Sequence, residues 1–63
     1  GPVEFPFSCN PNKASYALLE ALYLELSPRD YMAEAGKYFE LATTLSDNPF
    51  FQTMLSNFKK RHP

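Results

Sequence analysis

The residues of this chain that are able to act in catalysis or bind a metal are few and far apart. Cys9 is its one cysteine and His62 its one histidine. A catalytic site needs a nucleophile, a base or a metal within mutual reach, and a structural zinc site usually takes four Cys or His ligands. We therefore expect no enzyme activity, no metal and no cofactor.

The charged side chains are divided unevenly along the chain. Residues 1–47 contain seven acids and three bases, a net charge of −4, whereas residues 48–63 contain three bases and no acid. These three bases are Lys59, Lys60 and Arg61. Such a run suits contact with nucleic acid or a localisation signal, but cations in the last turn of a helix also complement its dipole. We favour the dipole interpretation, because nucleic-acid-binding domains usually carry a basic face along a whole element.

Aromatic and aliphatic side chains are the remaining candidates for function, and their chemistry is binding. The 63 residues include six Phe and four Tyr, and 44% are hydrophobic, which is too apolar for a disordered segment. Tyrosine suits a protein interface because its ring is apolar and its hydroxyl tolerates water. The candidate partner-binding residues are Phe5, Phe7, Tyr16, Leu19, Tyr23 and Leu26.

Two short motifs have alternative interpretations. Phe5-Pro6-Phe7 is either a linear motif that inserts into a partner or part of an arm that folds back across the helices. Asn48-Pro49-Phe50 matches a tripeptide that some endocytic adaptor domains bind. The same three residues also form a helix cap followed by a core phenylalanine, and we favour the cap because a three-residue match carries little information.

Proline and capping residues divide the chain into an arm and three helices. We interpret Gly1-Pro2 as a cloning remnant and residues 1–10 as an extended arm, since proline disfavours helical geometry in itself and in the residue before it. Each predicted helix then opens with a cap and a proline, which suits the first helical position. The pairs Asn10-Pro11, Ser27-Pro28 and Asn48-Pro49 predict helices over residues 11–26, 28–46 and 49–61.

The apolar positions of the three helices predict how they pack. The second and third helices each carry one apolar stripe at helical spacing, and Gly36 in the second suits close approach of another backbone. The first helix is apolar over more than the usual stripe of about 100°, with one seam at Leu18, Leu22 and Leu26 and a second at Tyr16, Leu19 and Tyr23. The expected stripes are Tyr31, Met32, Ala35, Tyr38, Phe39, Ala42 and Leu45 in the second helix, and Phe50, Phe51, Met54, Leu55 and Phe58 in the third.

The sequence therefore predicts an all-α fold, a small three-helix bundle over residues 11–62 preceded by an extended arm. The surplus apolar surface of the first helix predicts a docking or assembly domain of a larger intracellular protein, in the cytoplasm or nucleus, which binds a partner helix or an extended peptide. Homodimerisation through the same face and nucleic-acid binding through the basic end are the alternatives. We expect no membrane or small-molecule partner.

Overall fold

The computed structural model describes residues 12–63, and this part of the chain contains three helices. They are α1 (Asn12–Glu25), α2 (Met32–Leu45) and α3 (Pro49–Arg61). The predicted all-α, three-helix architecture is therefore confirmed. The predicted arm and the start of the first helix at Pro11 lie outside the described residues.

Alanine occupies most of the buried positions of α1 and α2. The helices run antiparallel, since the N-terminal half of α1 and the C-terminal half of α2 line the same groove. Small side chains let the two backbones approach closely, and each helix loses little side-chain entropy when it buries an alanine. The buried alanines are Ala14, Ala17 and Ala21 of α1 and Ala35 and Ala42 of α2.

Phe39 of α2 supplies the bulk of the core and joins α2 to α3. Its side chain is fully buried, and its ring lies 4.7 Å from the ring of Phe58, centroid to centroid, at an interplanar angle of 30°. Phe58 also fills the space beside Gly36, where a Cβ atom would lie 3.4 Å from Cε2 of that ring. The predicted close approach at Gly36 is thus made by an aromatic ring and not by a backbone. Phe51 and Leu18 complete the buried core.

The N-terminus of α3 has the predicted cap. Oδ1 of Asn48 accepts a hydrogen bond from the backbone N–H of Phe50 at 3.0 Å, and Pro49 is the first helical residue. The side chain thereby satisfies one of the backbone donors that a helix N-terminus leaves unpaired. The boundaries predicted for this helix, residues 49–61, agree with the structure.

The start of α2 differs from the prediction, because the helix begins at Met32 and not at Pro28. Oγ of Ser27 accepts a hydrogen bond from the N–H of Arg29 at 3.3 Å, within the turn that follows α1. Oδ1 of Asp30 then accepts from the N–H of Met32 at 3.3 Å. The cap-like side chains of this segment therefore stabilise a connection between two antiparallel helices, as Ser and Asp commonly do in turns.

Two aromatic residues assigned to the core from the sequence are partly exposed. Tyr38 is 37% exposed and Phe50 is 51% exposed. The ring of Phe50 packs edge-on against Phe51, with centroids 5.2 Å apart. The buried stripe of α2 is therefore narrower than predicted. It is centred on Phe39, with Ala35 about one turn before it and Ala42 about one turn after it.

Replacing Phe39 with alanine is expected to unfold most of the domain. Removing a buried phenylalanine costs about 3–5 kcal/mol, and a core of this size seldom supplies more than about 3–5 kcal/mol of stability. Far-ultraviolet circular dichroism at 25 °C should show loss of most of the helical signal. Tyr38→Ala, at the neighbouring exposed position, should keep that signal. A cooperative transition at the wild-type midpoint in Phe39→Ala would contradict this account of the core.

Candidate functional site

Four large side chains form an exposed stripe along α1 on the side opposite the core. We name Tyr16, Leu19, Tyr23 and Leu26 the outer stripe. Their exposed fractions are 59%, 61%, 71% and 83% in that order. The first three lie on α1, and Leu26 lies in the turn that follows it, where its N–H still bonds to the carbonyl of Leu22 at 3.1 Å.

Helical periodicity explains why the outer stripe faces away from α2. With 3.6 residues in a turn, Ala14, Ala17 and Ala21 share one face of α1, and Tyr16 and Tyr23 lie about half a turn away from them. The core side of α1 also contains Leu18, which is buried, so the helix packs on the core with small and large side chains alike. What marks the outer surface is that large apolar side chains are exposed on the opposite side of the same helix.

A groove between α1 and α2 adjoins the outer stripe at Tyr16. Its volume is about 390 Å³. Ala17 is buried and Leu45 is half-buried, so both expose little surface to the groove. Lys13 and Glu20 place their charges at the edge of the groove. The full lining is Lys13, Tyr16, Ala17 and Glu20 of α1 with Tyr38, Leu41 and Leu45 of α2. Nζ of Lys13 lies 5.7 Å from the centroid of the Tyr16 ring, within the range of a cation–π contact.

The α2 side of this groove was not recognised from the sequence. Tyr38 was assigned to the core, and Leu41 was not assigned a role. A signal does exist, because Tyr38, Leu41 and Leu45 follow a spacing of three and four residues, which places them on one side of a helix. The predicted core stripe includes Tyr38 and Leu45 but not Leu41. In the structure Leu45 is half-buried and packs against the core, whereas Tyr38 and Leu41 are partly exposed.

The remaining candidate binding residues fall in two places. Phe5 and Phe7 lie outside the described residues, so the interpretations of the Phe5-Pro6-Phe7 motif stay predictions. Asn48 of the Asn-Pro-Phe motif uses its side chain to cap α3. This pairing confirms the capping interpretation, and the phenylalanine that follows it is half exposed at the surface and not buried in the core.

The basic C-terminal end is partly occupied by an ion pair with α1. Nε and Nη2 of Arg61 donate to the two carboxylate oxygens of Glu25 at 2.7 and 2.8 Å. Nε2 of His62 lies 2.8 Å from Oε2 of the same carboxylate, so this nitrogen carries the proton of that hydrogen bond. Lys59 and Lys60 are exposed. The three basic residues therefore do not form one free cluster.

The pairing of Glu25 also offsets the unfavourable interaction of its carboxylate with the helix dipole of α1. A carboxylate in the last turn of a helix is disfavoured by the helix dipole, and the Glu25 side chain is only 9% exposed. The hydrogen bonds from Arg61 lower the pKa of Glu25 below its ordinary value of 4.5, burial acts in the opposite direction, and the bond from His62 lowers it further. No local sequence pattern announces a contact between residues 36 positions apart.

Comparison of the chain with known proteins identifies no family for it. The chain matches no protein family, and no curated protein or solved structure shows significant similarity to it. Within residues 12–63, no group of three or more His, Cys, Asp or Glu side chains is arranged to hold a metal ion. None of the described helices is long and apolar enough to cross a membrane. The outer stripe and its groove are therefore the candidate functional site within residues 12–63.

The contact between Glu25, Arg61 and His62 is expected to make stability depend on pH below about 4.5. The folded-state pKa of Glu25 lies below its unfolded value, so the stabilisation is complete above the unfolded pKa and is lost as pH falls through the folded pKa. Urea unfolding followed by circular dichroism, between pH 7 and pH 3, measures this loss. In Glu25→Gln the loss over this range should be smaller, and Glu34→Gln provides a control at an exposed acid. Equal pH dependence in Glu25→Gln and wild type would contradict the assignment.

Proposed function

We propose that this chain is a protein-interaction module that binds an amphipathic helix of another protein along the outer stripe. The observation that carries the proposal is the exposure of four large apolar side chains in a row on the face of α1 opposite its core contact. Large exposed apolar patches on a small domain are typical of interaction sites. The function is non-catalytic, and the activity consists of holding two chains together.

The spacing of the outer stripe favours a helix as the ligand. Successive members are separated by three, four and three residues, which is the spacing of a helix–helix seam. From Tyr16 to Leu26 the stripe runs for about 15 Å at 1.5 Å per residue, enough to match nearly three turns of a partner helix. An extended peptide would present side chains at a different period and would match fewer of these positions.

The side chains of the stripe are suited to an interface that forms and separates. Tyrosine and leucine bury apolar area, and the tyrosine hydroxyls keep a hydrogen bond with water or with the partner at the rim. A few aromatic anchors usually supply most of the binding energy of such interfaces. The groove at Tyr16 adds room for one larger side chain of the partner beside the stripe.

The proposal extends to the setting of the domain. A lone cysteine is typical of a reducing compartment, and an interaction module of this size commonly serves within a larger protein. We therefore propose a docking or assembly role in an intracellular protein. The pairing of Arg61 with Glu25 leaves only Lys59 and Lys60 of the basic run available, so the structure offers no observation in favour of the nucleic-acid alternative.

Replacing Tyr23 with alanine is expected to weaken binding without unfolding the domain. The probe is a synthetic amphipathic helical peptide with leucines at a repeating spacing of three and four residues. Because Tyr23 is 71% exposed and lies on the stripe, Tyr23→Ala should weaken the complex by roughly tenfold or more, as truncated aromatic anchors do. Fluorescence anisotropy measures affinity, and circular dichroism checks that the fold persists.

Phe50→Ala is the matched control, since Phe50 is another half-exposed aromatic residue but lies on α3. This variant should bind the peptide as the wild type does. Equal weakening by both variants, or no peptide binding by the wild type, would refute the proposal. Unfolding of Tyr23→Ala would show that the stripe belongs to the core. Sedimentation equilibrium over a concentration series tests the homodimer, which requires a mass that rises towards two chains in wild type but not in Tyr23→Ala.

A further inference from the structure

We infer that the partner helix carries Lys or Arg beside its apolar seam and that this cation pairs with Glu20. The inference rests on the proposed function and adds the chemistry of the partner. It is drawn from the position of one carboxylate relative to the outer stripe. The same carboxylate distinguishes two candidate occupants of the stripe, a different protein and a second copy of this chain.

Glu20 adjoins the outer stripe at its centre. It follows Tyr16 by four residues and precedes Tyr23 by three, and residues so spaced are surface neighbours on a helix. It also lines the groove that Tyr16 shares with Leu41 of α2, so it lies on the α2 side of the stripe. Glu20 is exposed, and no ion pair of its side chain is found within residues 12–63. A helix seated on the stripe would bring its own flanking side chains beside this carboxylate.

The charges around Glu20 leave a one-sided pattern. Ser15 and Leu22 occupy the opposite flank of the stripe and carry no charge. Glu25, the other acid of α1, is already held by Arg61 and His62. Lys13 lies one turn before Tyr16 with its Nζ over that ring. A partner cation is therefore favoured beside the centre of the stripe, at Glu20.

A second copy of α1 does not supply this cation. In an antiparallel pair that matches Tyr16 to Leu26 and Leu19 to Tyr23, the two-fold axis crosses the outer face of the helix at the level of residue 21. Equivalent flanking positions then meet across the axis, so the two copies of Glu20 lie on the same side of the interface. Like charges so placed repel each other.

A parallel pair of α1 helices fails for a different reason. Each Glu20 would then face Ser15 of the other copy, since flanking positions five residues apart meet in parallel helix pairs. Serine cannot neutralise the carboxylate. Charge complementarity is thus incomplete in both symmetric arrangements, and a helix from another protein with a base at this flank satisfies it.

The expected result is a charge preference that depends on Glu20. Two synthetic helical peptides share one leucine seam and differ only in the flanking positions, which are lysine in one and glutamate in the other. Wild type should bind the lysine peptide at least about threefold more tightly at low salt, and added salt should reduce the difference because exposed charges are screened. Glu20→Gln should remove most of the preference, and Glu20→Lys should reverse it. Fluorescence anisotropy at two salt concentrations provides the affinities.

Glu40→Lys is the matched control, because it makes the same change of net charge at an exposed position of α2 that does not line the groove. This variant should keep the wild-type preference for the lysine peptide. A preference that survives in Glu20→Lys, or that Glu40→Lys also reverses, would overturn the inference while leaving the proposed function intact. If the wild type binds neither peptide, the proposed function is refuted, and the inference with it. In sedimentation experiments on the free chain, Glu20→Gln should not increase dimer formation over that of the wild type. An increase would identify a second copy as the occupant of the stripe and overturn the inference.

Discussion

The contact between Phe39 and Phe58 is the constraint on which the arrangement of the three helices depends. Phe39 is the large side chain that is fully buried in the described part of the chain, and the rest of the core is largely alanine. One aromatic ring therefore fixes the distance between α2 and α3, and Gly36 leaves the space that the second ring occupies. The inner face of α1 packs on this centre with three alanines and one buried leucine, Leu18. The large side chains of the outer stripe remain exposed.

The ion pair at the C-termini of α1 and α3 complements that aromatic contact. Phe58 belongs to the same turn of α3 as Arg61 and His62, and its ring lies 5.1 Å from the His62 ring. The core contact consequently places the two basic side chains beside Glu25. Both side chains of this pair are exposed to some degree, so its contribution to stability is smaller than that of the buried rings. The ion pair joins the C-terminal end of α1 to the C-terminal end of α3, next to Leu26, the last residue of the outer stripe.

The sequence was sufficient to predict what depends on neighbouring residues and insufficient for what depends on helix packing. The Asn48-Pro49 cap and the full extent of α3 followed from local hydrogen bonding, and so did the number of helices. The same pattern at Ser27-Pro28 gave the wrong start for α2, because the path of the connection is set by how α1 and α2 pack, and its hydroxyl serves a turn instead. The spacing of Tyr38, Leu41 and Leu45 places them on one side of a helix, but it does not tell whether that side faces the core, which depends on helix packing. The pairing of Glu25 with Arg61 joins residues 36 positions apart, for which one sequence contains no signal. All four residues of the outer stripe are among the candidate binding residues that the sequence predicts, because helical spacing alone puts Tyr16, Leu19 and Tyr23 on one seam, and the structure exposes all four.

The opposition of two faces on α1 has a consequence for how this domain is able to work. Alanines on one face hold α1 against α2, and Tyr16, Leu19 and Tyr23 on the other face make no comparable contact within the described residues. Under the proposed function, stability and association depend on different side chains of the same helix. A partner helix on the outer face would bury apolar area without displacing any part of the core, so docking needs no rearrangement of the fold. Because a ligand that binds only the folded state stabilises it, a docked helix would also stabilise the domain.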